Sequence, residues 1–118
     1  MPLEQRGELS LQIIDKPAPV SSFCTVFAES DAVLMLRRGV AVNDILAGVS
    51  DGIVERVCKL IMRLGLDGKL AITGGIAQNC GITKRIAKKL DVEVLLPEKP
   101  QMIGALGAAM FAYDRAMK

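Results

Sequence analysis

The strongest constraint on the fold is a short apolar run that ends at two adjacent glycines. Residues 70–73 read Leu-Ala-Ile-Thr, which is typical of a buried strand, and a helical pattern follows over residues 81–90. Gly74 and Gly75, which we call the glycine turn, come directly after the strand. Glycine permits positive φ and places no side chain in front of its main-chain N–H groups. Since a following helix start adds the positive end of its dipole, this arrangement suits a phosphate and predicts nucleotide binding.

The same pattern is also typical of a tight connection between a strand and a helix that binds nothing. The sequence lacks a six-residue phosphate loop ending in Gly-Lys-Ser or Gly-Lys-Thr, and it lacks a Gly-x-Gly-x-x-Gly fingerprint. The local pattern therefore leaves both interpretations open.

Composition favours a single α/β domain. The chain has 118 residues, of which 51% are hydrophobic but only 3% are aromatic. Aliphatic side chains must therefore fill a modest core, which suits helices on a buried sheet better than an aromatic-rich β-sandwich. The net charge of +2 gives no reason to expect nucleic acid as a partner. Because the chain has no histidine, a Ser-His-Asp triad and imidazole-zinc sites are excluded within it.

The sequence predicts neither a signal peptide nor a membrane-spanning segment. The first residues do not have the layout of a signal peptide, and no apolar run approaches the roughly 20 residues that span a bilayer. Three cysteines, an odd number that cannot all pair within the chain, suit a reducing compartment. We therefore expect a cytoplasmic protein with no membrane partner.

The periodicity of apolar residues gives the order of the elements. It predicts a second strand over residues 92–96 and five helices, over residues 3–14, 23–38, 43–64, 81–90 and 101–117. Two parallel strands make a poor sheet by themselves. We therefore expect residues 1–118 to form one partial domain, with residues 1–22 as a helix and loop leading in and a further part of the fold before residue 1.

The longest predicted helix, residues 43–64, has a capping signal and an apolar face. Asn43 is its predicted N-cap, and Gly65 ends it. Its predicted buried face consists of the apolar residues that recur at three- and four-residue steps, namely Leu46, Val49, Ile53, Val57, Leu60, Ile61 and Leu64. Gly48 and Gly52 permit another segment to approach closely. The last helix is dense in glycine and alanine, so we expect it to pack tightly against a sheet or a ligand-bearing loop.

Three stretches together resemble one protein family. They are Ser-Phe-Cys-Thr-Val-Phe-Ala-Glu-Ser over residues 22–30, Thr-Gly-Gly-Ile-Ala-Gln-Asn over residues 73–79, and Pro-Gln-Met-Ile-Gly-Ala-Leu-Gly-Ala-Ala over residues 100–109. In this order and spacing they are similar to the ATP-dependent activators of 2-hydroxyacyl-CoA dehydratases and the related ATPase subunits of benzoyl-CoA reductases. The resemblance covers nearly the whole chain but only the C-terminal half of such proteins.

This resemblance implies an actin/hexokinase/Hsp70-type ATPase fold, in which ATP lies between two lobes and the glycine turn of the second lobe approaches it. The turn residues Gly74, Gly75 and Ala77 would then lie against the ribose and phosphates. The helix-end residues Gln78, Asn79 and Gln101 would be candidates for adenosine contacts. The ligands of Mg²⁺ are expected in the other lobe.

The resemblance further implies a homodimer that shares one 4Fe-4S cluster and passes an electron to a dehydratase or reductase component. Cys24 matches one cluster cysteine. Its predicted place at a helix start favours a thiolate, because exposed N–H groups and the helix dipole stabilise negative charge there. A buried cysteine that only packs is the alternative.

Other residues depart from the family pattern or have less specific roles. The family's second cluster cysteine and its phosphate loop have no counterpart in this chain. Cys58 is interpreted as a packing residue and Cys80 as incidental to the site, although it could neighbour the nucleotide. Glu29 is either an interface or hinge contact or an exposed helix carboxylate.

Three functional hypotheses remain at this point. The first is the C-terminal lobe of an ATP-dependent activator, which would hydrolyse ATP when complete and is expected to be inactive as this chain alone. The second is a lobe of a sugar or acyl kinase, in which Cys24 has no redox role. The third is a non-catalytic dimerisation domain.

Overall fold

Three helices that cross at glycines form the packed part of the chain, in a computed structural model that describes residues 1–21 and 24–118. Within those residues there are five α-helices, two strands and two 3-10 helices. The α-helices are α1 (Leu3–Leu11), α2 (Thr25–Arg37), α3 (Val42–Leu64), α4 (Cys80–Leu90) and α5 (Ile103–Ala116). The strands are β1 (Leu70–Ala71) and β2 (Val94–Leu95), and the 3-10 helices are Gly75–Gln78 and Pro100–Met102.

The sheet has two parallel strands, as the sequence predicted, but both strands are shorter than predicted. Leu70 pairs with Val94 and Ala71 with Leu95. Beyond that register the backbone of Ile72 still donates a hydrogen bond to the carbonyl of Leu95, at 3.1 Å. Leu70 and Val94 pack against the core, whereas Ala71 and Leu95 are exposed. One face of the sheet is therefore covered and the other is open.

The predicted buried face of α3 is only partly correct, since Val57 packs against the core but Ile53 and Leu60 are exposed. The core pairs Val54 and Cys58 of α3 with Ile82 and Ile86 of α4. In contrast, Leu64, which was expected on the buried face, is 90% exposed. The physical reason is that α3 packs against α1, α4 and the loop that precedes α2, so its buried side carries mainly small side chains. Apart from Ile45 and Val54, its larger aliphatic residues lie on sides that no described element covers fully.

Two glycine contacts set the distances between these helices. A Cβ atom on Gly48 of α3 would overlap the carbonyl oxygen of Ala18, whose own N–H donates to the carbonyl of Asp44 at 2.9 Å. A Cβ atom on Gly81 of α4 would lie 2.9 Å from the carbonyl oxygen of Gly7 in α1. Gly7 therefore lies inside α1 without ending it, and it allows the backbones of α1 and α4 to touch.

Arg85 joins the three packed helices. Its guanidinium donates to the carbonyl oxygen of Ser10 in α1 at 2.8 Å and to Asp51 Oδ1 in α3 at 2.8 Å. It also donates to the carbonyl oxygen of Gly81 in its own helix at 2.9 Å. Only 13% of this side chain is exposed, so these hydrogen bonds lie in a partly desolvated place, where charge-assisted bonds are stronger.

The helix boundaries correct several sequence predictions. α1 ends at Leu11 rather than at residue 14, and α3 begins one residue before the predicted cap. Asn43 is not that cap, since its amide donates to the carbonyl oxygen of Gln12 at 3.0 Å. Asp44 instead accepts hydrogen bonds from the N–H groups of Ile14 and Asp15, at 2.7 and 3.0 Å. The predicted helix start at Phe23 lies outside the described residues.

Among the helices that the structure describes, α2 and α5 have no buried residue. Among the described elements, α5 contacts only the 3-10 helix Pro100–Met102 that precedes it. Its expected tight packing against a sheet is therefore not found. The chain extends over 61 × 29 × 24 Å with a radius of gyration of 16.9 Å, against about 13.5 Å for a compact domain of this length. Among the described residues, no helix combines the length and the apolar composition that crossing a bilayer requires.

Candidate functional site

The glycine turn lies between β1 and the 3-10 helix Gly75–Gln78. Gly74 has φ 86° and ψ −178°, which a residue with a side chain rarely adopts. Its N–H donates to the carbonyl oxygen of Pro100 at 2.8 Å, which ties the turn to the second 3-10 helix. A Cβ atom added to either glycine would meet no other atom within 4 Å. Space in front of this backbone is therefore open.

Free N–H groups follow from the geometry of the 3-10 helix. Its first hydrogen bond runs from the N–H of Ala77 to the carbonyl oxygen of Gly74, at 3.2 Å. The N–H groups of Gly75 and Ile76 precede that bond and so have no partner within the helix. Ala77 is buried behind them. The turn therefore presents two main-chain donors, an arrangement that is chemically suited to an anion such as a phosphate.

The start of α4 does not add to that site, contrary to the expectation from the sequence. Asn79 is its N-cap and accepts a hydrogen bond from the N–H of Ile82 at 3.3 Å. A Cβ atom on Gly7 would lie 2.6 Å from Asn79 Oδ1 and 2.9 Å from Cys80 N, so α1 covers this end of the helix. Asn79 is buried and supports α4, and its contact with adenosine stays a prediction.

Two other predicted residues are brought together. Gln101 Nε2 donates to Gln78 Oε1 at 2.9 Å, and this hydrogen bond is exposed. It joins the 3-10 helix after the glycine turn to the one before α5. The two amides therefore form one polar edge beside the turn, with groups that can both donate and accept.

Cys24 is the N-cap residue of α2 and is half-buried. Hydrogen bonds from the backbone of Phe27 and then Val26 lower the pKa of its thiol, burial opposes them, and the charge of Arg56 adds a smaller lowering. Cys24 and Arg56 line one pocket of about 150 Å³ with Val49 and Gly52 of α3. These contacts favour the thiolate, which is the form that ligates iron.

The donor set around Cys24 fits one ligand of a cluster and no more. No group of three or more cysteine, aspartate, glutamate or histidine side chains suited to a metal ion occurs in residues 1–21 and 24–118. Cys58 lies in the core, where burial raises the pKa of its thiol, so its interpretation as a packing residue is confirmed. Cys80 is half-buried at the first residue of α4, and Glu29 is exposed on α2.

Two residues that contribute to the glycine turn and to the surroundings of Cys24 were not predicted from the sequence. Pro100 supplies the carbonyl that fixes Gly74, and no local pattern marks such a contact across 26 residues of chain. Arg56 lies one helical turn after Gly52 on the side of α3 that faces Cys24. Helical spacing from the small residues of α3 could have identified it.

Comparison with known proteins places these features in a family. The chain is 43% identical to the activator of lactoyl-CoA dehydratase from Anaerotignum propionicum over 116 residues, which is 98% of this chain and 44% of that protein. It is 40% identical to the 2-hydroxyisocaproyl-CoA dehydratase activator from Clostridioides difficile over 97 residues, which is 82% of this chain and 36% of that protein. The chain thus spans less than half the length of these relatives.

Solved structures agree with the sequence matches. The activator of the 2-hydroxyisocaproyl-CoA dehydratase from Clostridium difficile with bound ADPNP superposes with a TM-score of 0.86 at 35% identity, over 97% of this chain and 42% of that one. Component A of the (R)-2-hydroxyglutaryl-CoA dehydratase of Acidaminococcus fermentans superposes with a TM-score of 0.85 at 37% identity, over 98% and 44%. These matches confirm the predicted fold class, part of an actin-like ATPase. The family model for the BadF/BadG/BcrA/BcrD ATPases matches residues 1–112, and the chain belongs to that family.

Proposed function

We propose that this chain is the nucleotide-binding lobe of an ATP-dependent, iron-sulfur electron-transfer activator. Its partner is a 2-hydroxyacyl-CoA dehydratase or a benzoyl-CoA reductase component, since relatives carry these names. The observation that carries the proposal is the glycine turn, where open space faces two free main-chain donors. A relative of the same fold binds ADPNP.

The nucleotide would bind through groups that the turn supplies. The N–H groups of Gly75 and Ile76 would donate to phosphate oxygens, with Gly74 and Ala77 keeping the backbone within reach. The amides of Gln78 and Gln101 would hydrogen-bond the adenosine, with Asn79 behind them. ATP or ADP would bind with Mg²⁺, whose ligands would come from the part of the family fold outside the match.

Cys24 would hold iron as one thiolate of a 4Fe-4S cluster shared across a homodimer. The N–H groups at the start of α2 and the charge of Arg56 stabilise negative charge on its sulfur. Bound in this way, the cluster supplies one-electron transfer. The remaining thiolates would come from the partner subunit and from the family fold outside the match. Free cysteines suit a reducing compartment, so we place the assembly in the cytoplasm.

Nucleotide binding is tested in a chimera in which this chain replaces the matched part of the A. propionicum activator. Gly75→Val should weaken binding of Mg-ADP at least tenfold by calorimetry, because a side chain would stand where the phosphate must approach. A Cβ at residue 75 meets no atom within 4 Å, so the fold should tolerate the change. Lys59→Val, which places the same side chain at an exposed position of α3, is the control and should leave affinity unchanged. Equal affinity in the Gly75→Val variant would remove the main support for the proposal.

The proposed role of Cys24 as a cluster ligand is tested separately, by anaerobic reconstitution of the same chimera with iron and sulfide. A brown, oxygen-labile chromophore that is lost in Cys24→Ala and kept in Cys80→Ala supports the activator. A colourless protein that still binds nucleotide would instead support a kinase-like lobe. The 118-residue chain alone should release no phosphate from ATP above a protein-free blank.

A further inference from the structure

A groove of about 710 Å³ lies where α1, α3 and α4 meet. Helix α4 contributes only basic side chains to it, while the end of α1 and the loop after it contribute aliphatic ones. We call it the basic groove, and its defining residues are Leu11, Ile13, Lys84, Arg85, Lys88 and Lys89. It shares no lining residue with the glycine turn or with the pocket at Cys24. Neither proposed site therefore accounts for it.

The two carboxylates of α3 that line the groove are already neutralised. Arg85 Nε donates to Asp51 Oδ1 at 2.8 Å, and Lys59 Nζ lies 2.8 Å from Glu55 Oε1. Lys84 and Lys88, in contrast, form no ion pair with any residue that the structure describes. The groove therefore has an excess of positive charge.

These lysines require that the groove stays in contact with water until a partner binds. Lysine is almost never fully buried unless it is paired. Another part of the family fold lying over Lys84 and Lys88 would bury two unpaired charges. Across the groove, Leu11 is 39% and Ile13 is 44% exposed. An apolar wall beside unpaired cations is thus suited to a separate polypeptide that brings both carboxylates and aliphatic groups.

The spacing of the lysines matches a helix. Lys84 and Lys88 are four residues apart on α4, so they lie one turn apart on the same side of it, with Cβ atoms about 6 Å from each other. Two carboxylates four residues apart on a second helix have the same spacing and can face both lysines at once. Aliphatic residues on the neighbouring side of that helix would lie against Leu11 and Ile13, as in other complexes where a helix fills a groove.

We propose that the basic groove binds an acidic amphipathic helix of another protein, with carboxylates facing Lys84 and Lys88 and aliphatic side chains against Leu11 and Ile13. A nucleic acid would also be attracted to the lysines. Its phosphates would leave the aliphatic wall unmatched and would meet the carboxylate of Asp51, so the composition of the groove favours the helix. This inference goes beyond the proposed function and needs neither nucleotide nor iron.

The proposal is tested on the chimera that carries this chain in the A. propionicum activator. The probe is a fluorescein-labelled peptide of about 20 residues, long enough to form a helix, with pairs of glutamates four residues apart beside a row of leucines. Anisotropy should show binding that weakens at least about tenfold in Lys84→Gln with Lys88→Gln, and also in Ile13→Gln. Arg63→Gln with Lys69→Gln removes two positive charges outside the groove and is the matched control, which should bind as the unchanged chimera does.

A second peptide, in which glutamines replace the glutamates, should bind at least about tenfold more weakly, and added salt should reduce the difference. Equal binding of the two peptides, or of the Lys84→Gln with Lys88→Gln variant and the unchanged chimera, would overturn the proposal. So would tighter binding of a double-stranded DNA that depends on the same lysines.

Acetylation of lysines in the chimera, followed by peptide mass spectrometry, shows whether the groove is open. Without peptide, Lys84 and Lys88 should react at rates similar to that of Lys69, which is 60% exposed. The glutamate peptide should protect the first two and leave Lys69 unchanged. Protection before peptide is added would mean that the rest of the family fold covers the groove, and would also overturn the proposal. Affinity for Mg-ADP reads the proposed function and enters none of these results.

Discussion

The pair α2 and α5 carries a larger fraction of apolar residues than the block of α1, α3 and α4, yet only the block is packed. In the block, glycines bring backbones into contact and four side chains, Val54, Cys58, Ile82 and Ile86, form a buried cluster. In α2 and α5 no residue is buried. Apolar content alone therefore does not say where a chain packs. Close backbone approach marks the block, whereas large exposed side chains mark the surfaces left for contact.

The largest difference between the two regions should appear in core truncation. Ile82→Ala in α4 should lower the free energy of unfolding by about 3 kcal/mol, because it removes a 2% exposed side chain and leaves a cavity. Leu106→Ala in α5 should change it by less than about 0.5 kcal/mol, because that side chain is already in water. Urea unfolding of both variants, followed by circular dichroism, measures the contrast. Equal losses would mean that α5 is packed in solution.

Glycine-to-alanine substitutions should change the free energy of unfolding in opposite directions in the two regions. Gly48→Ala should destabilise the chain by about 2 kcal/mol, because the new Cβ overlaps the Ala18 carbonyl and the backbone there cannot rotate away. Gly107→Ala should instead stabilise it by up to about 1 kcal/mol through helix propensity, since open space surrounds that position. Paired thermal melts report both signs. A stable Gly48→Ala variant would show that the loop at Ala18 is not held against α3.

Thiol chemistry gives a third contrast. At pH 7, Cys24 should react with iodoacetamide at least about tenfold faster than Cys58, because the thiolate is the nucleophile. Backbone hydrogen bonds lower the pKa of Cys24, so its reactivity should persist to lower pH than that of an ordinary thiol. Burial raises the pKa of Cys58 and shields it. Peptide mass spectrometry across a pH series measures the alkylation rates of both cysteines. Arg56→Gln should slow the reaction of Cys24, and Arg63→Gln is the control for the loss of one positive charge.

The smallest contrast concerns two asparagines. Asn79→Ala should cost about 1 kcal/mol, because it removes the cap of α4 inside the packed block. Asn43→Ala should cost less, because its exposed hydrogen bond to Gln12 is not a cap. Chemical denaturation of the two variants tests the order. A larger loss at residue 43 would restore the cap that the sequence predicted.

Local patterns identified most of the elements, because strands and helices follow from neighbouring residues. The glycine turn, the parallel pair of strands and the end of α3 at Gly65, with φ 83°, agree with prediction. Most of the buried face of α3 was missed, because partners distant in the chain decide it. Ala18 and Gly7 come from earlier segments and select small residues at Gly48 and Gly81.

The candidate site was predictable only in part for the same reason. The glycine pair and the two glutamines come from recognisable motifs, but the pairing of Gln78 with Gln101 depends on the crossing of two 3-10 helices. The covered start of α4 could not be predicted, because the helix that covers it, α1, comes from a distant part of the sequence. Arg56 approaches Cys24 only after α2 folds back along α3.

Two hydrogen bonds connect the glycine turn and its 3-10 helix to the 3-10 helix that precedes α5. Gly74 is held by Pro100 and Gln78 by Gln101, and residues 100–102 continue directly into α5. Any displacement of α5 would therefore be passed on to Gly74 and Gln78 through these two hydrogen bonds. If the turn binds a nucleotide as proposed, a contact that shifts α5 and the bound nucleotide would influence each other with equal coupling energy.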